Sequence, residues 1–151
     1  MPRAQLFRPN PTREEQVAVR LARLTFRLMH DMEQVLKPFG LTGVQYNALR
    51  ILNGAGQDGL CGTDLRERLL TAVPDVPRLL DRLEEAGLVT RERDPENRRF
   101  VMARIAPAGV DLLVKSAPAI AAMHRRQWKD FSAKQLDELI RLLDQANGTP
   151  K

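Results

Sequence analysis

Asp94-Pro95-Glu96-Asn97 reads as a turn, and the residues on either side of it constrain what the chain from Leu60 to Ile105 can become. Before the turn, Leu88-Val89-Thr90 follows Gly87 and reads as a strand. After it, Arg99-Phe100-Val101-Met102-Ala103-Arg104-Ile105 alternates imperfectly, with Phe100 and Met102 on one side. Two strands about a tight turn make a hairpin. Upstream, Thr63 is placed to cap a helix reaching Leu70, Pro74 to open a second helix, and Gly87 to close it. Short helix, turn, second helix and hairpin, in that order, spell a winged helix-turn-helix.

The second helix sorts by face. Val76, Leu79, Leu80 and Leu83 follow the i, i+3, i+4, i+7 pattern of a buried stripe, which turns Asp75, Arg78 and Arg82 outward. An arginine can place two donors on guanine O6 and N7 in a major groove, and an aspartate near the helix start can accept from a cytosine amine. The plainer reading is a solvated face on which Arg78 pairs with Asp81, or Arg82 with Glu85. The hairpin bears on that choice. Arg91, Arg93, Arg98 and Arg99 surround its turn, and a guanidinium on a narrow loop suits insertion into a minor groove. Asn97 is placed to brace one of them. Otherwise, a charged hairpin tip serves only solubility.

Charge count alone does not select this unit. The chain carries a formal +5, but Thr63 to Arg104 holds nine arginines against nine acids. The excess lies in residues 1–30, with six arginines against Glu14 and Glu15, and in residues 105–151, with seven basic residues against five acidic ones. Binding through the wing unit therefore depends on where its arginines point.

Helices flank the unit on both sides. Thr12-Arg13-Glu14-Glu15 is a candidate capping box, followed by Val17, Leu21, Leu24, Leu28, Met32, Val35 and Phe39 at three- and four-residue steps. Ala18, Ala22, Phe26 and Met29 add a second apolar flank, so this helix needs two partners. Pro38-Phe39-Gly40 ends it. Thr42-Gly43-Val44-Gln45 opens another helix, with Leu41 and Tyr46 as its staple, and the chain breaks again over Gly54 to Gly59. Past the wing, Pro107 suits a first helical turn, Val110, Leu113 and Val114 give an apolar face, and Pro118 should kink the helix. Ser132-Ala133-Lys134-Gln135 is a third capping box, stapled by Phe131 and Leu136. Leu136, Leu139, Ile140 and Leu143 then form a stripe.

Several function classes find no support. No apolar run approaches the ~20 residues that span a bilayer, and Met1-Pro2-Arg3-Ala4 has no signal-peptide core, so a cytoplasmic location is expected. No nucleophile and base stand at interpretable spacing, and there is no phosphate-cradling glycine loop, so no enzyme and no cofactor are expected. Cys61 reads as a small hydrophobe in the short strand before the first helix of the motif rather than as a redox sensor. His30 and His124 lack metal-spaced companions. Trp128 reads as a core or interface anchor. A winged helix used for protein contacts, with weak or no sequence-specific DNA binding, is the alternative function class.

Leu41-Thr42-x-x-Gln45 with Leu49, the string Leu79-x-Asp81-Arg82-Leu83-Glu84-x-x-Gly87-Leu88-Val89-x-Arg91, and the wing Asp94-Pro95-Glu96-Asn97-Arg98-Arg99 together resemble the MarR (multiple antibiotic resistance regulator) family of bacterial transcription regulators. The resemblance covers roughly Leu41 to Leu113, with the flanking helices matching by layout only, and its specific part is the string from Leu79 to Arg91. It implies a mainly α fold: a winged helix-turn-helix with N- and C-terminal dimerisation helices. Its divisions would be a flexible basic arm at 1–11, an N-terminal dimerisation helix at 12–40, a DNA-binding domain at 41–105, C-terminal dimerisation helices at 106–147 and a tail at 148–151. It also implies a homodimer on a pseudopalindromic operator in double-stranded DNA, acting as a repressor released by a small lipophilic or phenolic effector. The DNA-binding set is then Asp75, Arg78, Arg82, Arg91, Arg93, Asn97, Arg98 and Arg99, and Met29, Met32 and Tyr46 are candidates to line an effector pocket. The family's usual hydroxyl residues are replaced here by Pro74 and Pro77, and its wing aspartate by Asn97.

Overall fold

A computed structural model describes residues 10–148, so most of the expected arm, and the tail beyond Gly148, lie outside the described residues. The elements run α1 (Arg13–Leu36), α2 (Gly43–Ala55), β1 (Leu60–Cys61), α3 (Gly62–Arg68), α4 (Val76–Glu85), β2 (Val89–Arg93), β3 (Val101–Ile105), α5 (Pro107–Gln127) and α6 (Ala133–Asn147). This is the mainly α winged helix-turn-helix expected from the sequence, with long helices before and after it.

Helix starts follow their caps. Thr42 Oγ1 accepts the Gln45 amide at 3.2 Å while Gln45 Oε1 accepts the Thr42 amide at 3.0 Å, a complete capping box. Ser132 and Gln135 repeat it at the start of α6. At α1, Thr12 caps the Glu15 amide at 3.2 Å without the reciprocal bond. After α1 a single 3-10 turn, Lys37–Phe39, ends at Gly40, whose φ of 69° is a conformation that glycine adopts without strain.

Two helix starts differ from the sequence expectation. α3 begins at Gly62 with Cys61 in the cap position, and Thr63 lies inside the first turn. The reason is the sheet. Leu60 and Cys61 pair with Ala103 and Met102, so the chain is extended up to Cys61 and turns helical at once. α4 begins at Val76, not at Pro74. Asp75 supplies the cap by accepting the Arg78 amide at 2.9 Å, and Pro77 falls in the first turn, where a missing amide leaves no bond unmade.

The antiparallel sheet has the order β1-β3-β2, with Val89 opposite Ile105 and Arg93 opposite Val101. Its buried centre is Ala103, on the face opposite Phe100 and Met102. Leu49, Leu52, Leu65, Val76, Leu83 and Val89 share one enclosed core with Leu36 of α1 and Met123 of α5. Burying such a side chain fully contributes about 1.5–3 kcal/mol. The same core therefore locks the wing unit to the long helices.

α5 buries Gly109, Ser116, Ile120 and Met123, whereas Val110 and Val114 of the expected apolar face are exposed. The helix continues through Pro118. α6 buries no residue within the chain, leaving Ile140, Leu142 and Leu143 exposed, and α1 likewise exposes Val17, Leu21 and Phe26.

Candidate nucleic-acid interface

Recognition-helix geometry follows directly from its stripe. Val76, Leu79, Leu80 and Leu83 are all buried, so Arg78 and Arg82 project to solvent. Neither makes the expected pair with Asp81 or Glu85. Asp81 is drawn instead, together with Glu84, to Arg91 of β2: Nη2 lies 2.6 Å from a carboxylate oxygen of each, and Nε lies 2.9 Å from Glu84. Hydrogen bonding to Glu84 foremost, with Asp81 adding to it, pushes the Arg91 pKa further above the ordinary guanidinium value. Arg91 thus differs from the exposed DNA contact expected of it. Its side chain, 24% exposed, straps the first wing strand to the recognition helix.

Asp75 also has a prior engagement, because its Oδ1 holds the Arg78 amide. At the wing tip Asp94 Oδ1 accepts the Glu96 and Asn97 amides, at 2.8 and 3.3 Å, and Asn97 Oδ1 accepts the Arg99 amide at 3.3 Å. Asn97 therefore braces the backbone of Arg99 and not a guanidinium. The effect is to shape the loop while leaving the arginine heads untethered. Among the described residues, no ion pair or side-chain hydrogen bond engages the guanidiniums of Arg78, Arg82, Arg93, Arg98 or Arg99.

Two clefts flank the first turn of α4. One, of about 280 Å³, runs from Thr42 and Gln45 at the start of α2 to Asp75, Arg78 and Arg82. The other, of about 410 Å³, lies between Thr63 and Arg66 of α3, Pro77, and Arg99 and Phe100 of the wing. Arg66 was not singled out from the sequence. Its signal lies in tertiary structure: only the return of β3 beside β1 brings the wing next to α3. Cys61, half-buried, lines this second cleft.

A third cleft, of about 450 Å³, opens on the other side of the motif, between α1, α2, the end of α5 and the segment after α3. Leu28, Met29, Met32, Val44, Leu70 and Trp128 line it. Met29 and Met32 are therefore where an effector pocket was expected, but Tyr46 is not among the lining residues; its ring lies 6.0 Å from the Arg50 guanidinium. Trp128 and His124 were not expected there. The last turn of α5 carries His124 and its C-cap is Trp128, so the end of this helix brings both in, with Trp128 packed edge-on against Phe131 at 5.6 Å. Two polar residues of this cleft also hold the motif in place. Glu33 Oε1 accepts the Gly43 amide at the start of α2 at 2.7 Å, and Asn47 Oδ1 accepts the Leu70 amide in the turn before α4 at 3.0 Å.

Among the described residues no group of three or more His, Cys, Asp or Glu side chains could hold a metal ion, and no helix is long and apolar enough to cross a membrane.

Comparison with known proteins points one way. The sequence model of the MarR family matches residues 39–99. A crystal structure of a MarR transcription factor from Planctomyces limnophilus is 35% identical, with a TM-score of 0.69 over 91% of this chain and 98% of that one. The HTH-type transcriptional repressor IacR of Pseudomonas putida is 25% identical over 124 residues, 82% of this chain and 73% of that protein. A mutant MarR from E. coli complexed with operator DNA, 21% identical, shares the fold with a TM-score of 0.79 over 94% of this chain and 100% of that one.

Proposed function

The chain belongs to the MarR family of transcription regulators, and from that premise we propose that it is a dimeric, sequence-specific DNA-binding repressor whose hold on DNA is released by a small lipophilic effector. The observation that carries the DNA reading is the set of untethered guanidiniums at Arg78 and Arg82 on the recognition helix and at Arg93, Arg98 and Arg99 on the wing. A rigid core holds both carriers. Arg78 and Arg82 read base edges in the major groove, and the wing arginines enter the adjacent minor groove. Arg91 and Asn97 shape the wing, and Asp75 caps the reading helix. Repression is the role named for the Pseudomonas putida relative, and operator DNA the partner named for the E. coli structure.

Dimerisation is supported by the apolar residues left bare on both ends of the chain, on α1 (Val17, Leu21, Phe26), α5 (Val110, Val114) and α6 (Ile140, Leu142, Leu143). An exposed apolar surface distributed over three helices is unusual for a monomer. A twofold pair of recognition helices asks for a pseudopalindromic site with half-sites one helical turn apart or a multiple of it. A DNA partner supports the expected cytoplasmic location. The cleft lined by Met29, Met32 and Trp128 is the effector site. Its walls belong to the dimerisation helices on one side and, through Asn47 and Leu70, to the turn that positions α4 on the other.

The deciding experiment is a mobility-shift assay on random duplexes at low salt, followed by selection and sequencing of the bound DNA. A two-half-site consensus, bound with steep salt dependence, is the expected result. Salt-insensitive or undetectable binding would transfer the winged helix to protein contacts. A monomeric mass by light scattering at micromolar concentration would refute the two-half-site arrangement.

A further inference from the structure

Leu65 is fully buried and anchors α3, so Thr63 and Arg66, three residues apart on one face, line the cleft of about 410 Å³ that opens toward the wing. Its opposite wall is set by the sheet. Pairing of Leu60 and Cys61 with Ala103 and Met102 brings Arg99, Phe100 and Val101 beside α3, and Pro77 closes the cleft from α4. No carboxylate lines it among the described residues. Arg91, which does line it, is already spent on Asp81 and Glu84. The Arg66 guanidinium and the Thr63 hydroxyl are exposed and have no hydrogen-bond or ionic partner among the described residues. Beside those donors Phe100 and Val101, 47% and 44% exposed, present apolar surface.

We propose that this cleft seats one sugar-phosphate unit of the DNA strand that separates the major groove under α4 from the minor groove at the wing, with Arg66 and Thr63 on the phosphate and Phe100 and Val101 against the deoxyribose. This rests on α4 and the wing binding duplex DNA. Adjacent grooves are divided by a single backbone, so a protein holding one element in each must straddle it, and the space between the two elements is where that backbone passes. The usual donors at such a place are amides of the reading helix. Pro77 has none and Asp75 takes that of Arg78, so a side chain must meet the phosphate charge. Arg99 leads on from the wing into the minor groove. Arg66 is then the cation left facing the phosphate, and the Thr63 hydroxyl donates to a second oxygen. Such contacts fix register on the duplex and carry no sequence information.

The probe is the operator recovered by selection, titrated by fluorescence anisotropy at a series of salt concentrations. Arg66→Gln should bind every duplex roughly five- to tenfold more weakly at low salt. Its slope of log K against log salt should be shallower by about 0.9 per half-site, with Tm unchanged because the side chain is exposed and unpaired. Arg66→Lys should keep the slope, since phosphate accepts a point charge. A neutral methylphosphonate placed in turn at each backbone linkage locates the contact: one linkage per half-site should cost the native protein affinity and leave Arg66→Gln indifferent. Phe100→Ala keeps the backbone bonds of this residue to Asp94 and Asn97. It should weaken binding to every duplex roughly threefold with the slope unchanged, because an apolar contact releases no counterion. A native slope retained in Arg66→Gln, a slope lost equally in Arg66→Lys, or no linkage to which Arg66→Gln alone is indifferent overturns the phosphate contact and leaves the DNA reading standing. A sequence-dependent loss in Phe100→Ala overturns the deoxyribose contact. No salt-dependent binding of any duplex by the native protein overturns the DNA reading itself.

Discussion

Replacing Arg91 with methionine removes the guanidinium while keeping most of the aliphatic stem, and it tests whether this residue is a strap or a DNA contact. Arg91 reaches Asp81 and Glu84 at 2.6 Å each and Glu84 a second time through Nε at 2.9 Å. Hydrogen bonds to charged partners contribute about 1.5–3 kcal/mol when shielded, whereas an exposed ion pair contributes at most about 1 kcal/mol. Arg91 is 24% exposed, but Asp81 and Glu84 are 53% and 40% exposed, so solvent screens much of the attraction. A loss of about 1–2 kcal/mol is the expected result. For a chain of this length that lowers Tm by roughly 2–8 °C. DNA affinity should fall by the same factor on every duplex, because the wing is less firmly held. The assay is thermal denaturation alongside anisotropy titrations at a series of salt concentrations. Each phosphate contact contributes about 0.9 to the slope of log K against log salt. Arg91→Met should leave that slope unchanged. An unchanged Tm with a slope shallower by about 0.9 would show that Arg91 touches phosphate and that the strap is dispensable.

The untethered arginines should behave in the opposite way. Arg78→Ala should cost about 1–3 kcal/mol on the preferred operator and relax its preference at one base position, read by competition among single-substituted duplexes; an equal loss on all duplexes would assign it to phosphate. Arg99→Ala should weaken binding to sites with a narrow, A·T-rich minor groove more than to G·C-rich variants, since groove width sets the potential that attracts the side chain. Matched operators differing only in the wing-facing segment test this, and equal losses refute it. Gly109→Ala should destabilise the fold by about 1–3 kcal/mol in chemical denaturation. The added methyl would collide with the Leu88 carbonyl and lie 2.8 Å from Ile105 Cγ1, and that carbonyl is held by the Ala106 amide at 2.9 Å, so it cannot step aside freely.

Local chemistry was legible in the sequence where one short segment decides it. The boxes at Thr42 and Ser132, the helix end at Gly87 and the turn at Asp94 to Asn97 need only their own neighbours, and each stands as expected. The starts of α3 and α4 were misplaced because other segments decide them. β3 draws Cys61 into a strand and so overrides Thr63, and Asp75, a better cap than Pro74, shifts α4 by two residues. The face of α5 was misread for a different reason. Hydrophobic counting found Val110 and Val114, but close packing within the chain selects the small residues Gly109 and Ser116 and leaves the larger ones for a second surface. Arg91 was grouped with the wing arginines because sequence spacing does not show that β2 returns alongside α4, where Glu84 and Asp81 wait.

That pairing also explains how a motif with as many acids as arginines can present a basic surface. Helix starts usually attract phosphate through free amides and a partial positive charge. Here that contribution is blunted: Pro77 has no amide, Asp75 takes the Arg78 amide, and at α2 the amides of Thr42, Gly43 and Gln45 are met by Gln45, Glu33 and Thr42. Attraction must then come from side chains, and placement supplies it. Asp81 and Glu84 share Arg91, which offsets one of their two charges and holds both carboxylates beside β2, Glu92 lies 3.6 Å from Arg104, and the carboxylates of Asp75 and Asp94 are turned onto amides of their own turns. The guanidiniums of Arg66, Arg78, Arg82, Arg93, Arg98 and Arg99 have no such partner among the described residues. A unit neutral by count is therefore positive where α4 and the wing meet solvent. If that charge meets phosphate, binding should weaken steeply as salt rises, and a shallow slope of log K against log salt would refute this reading.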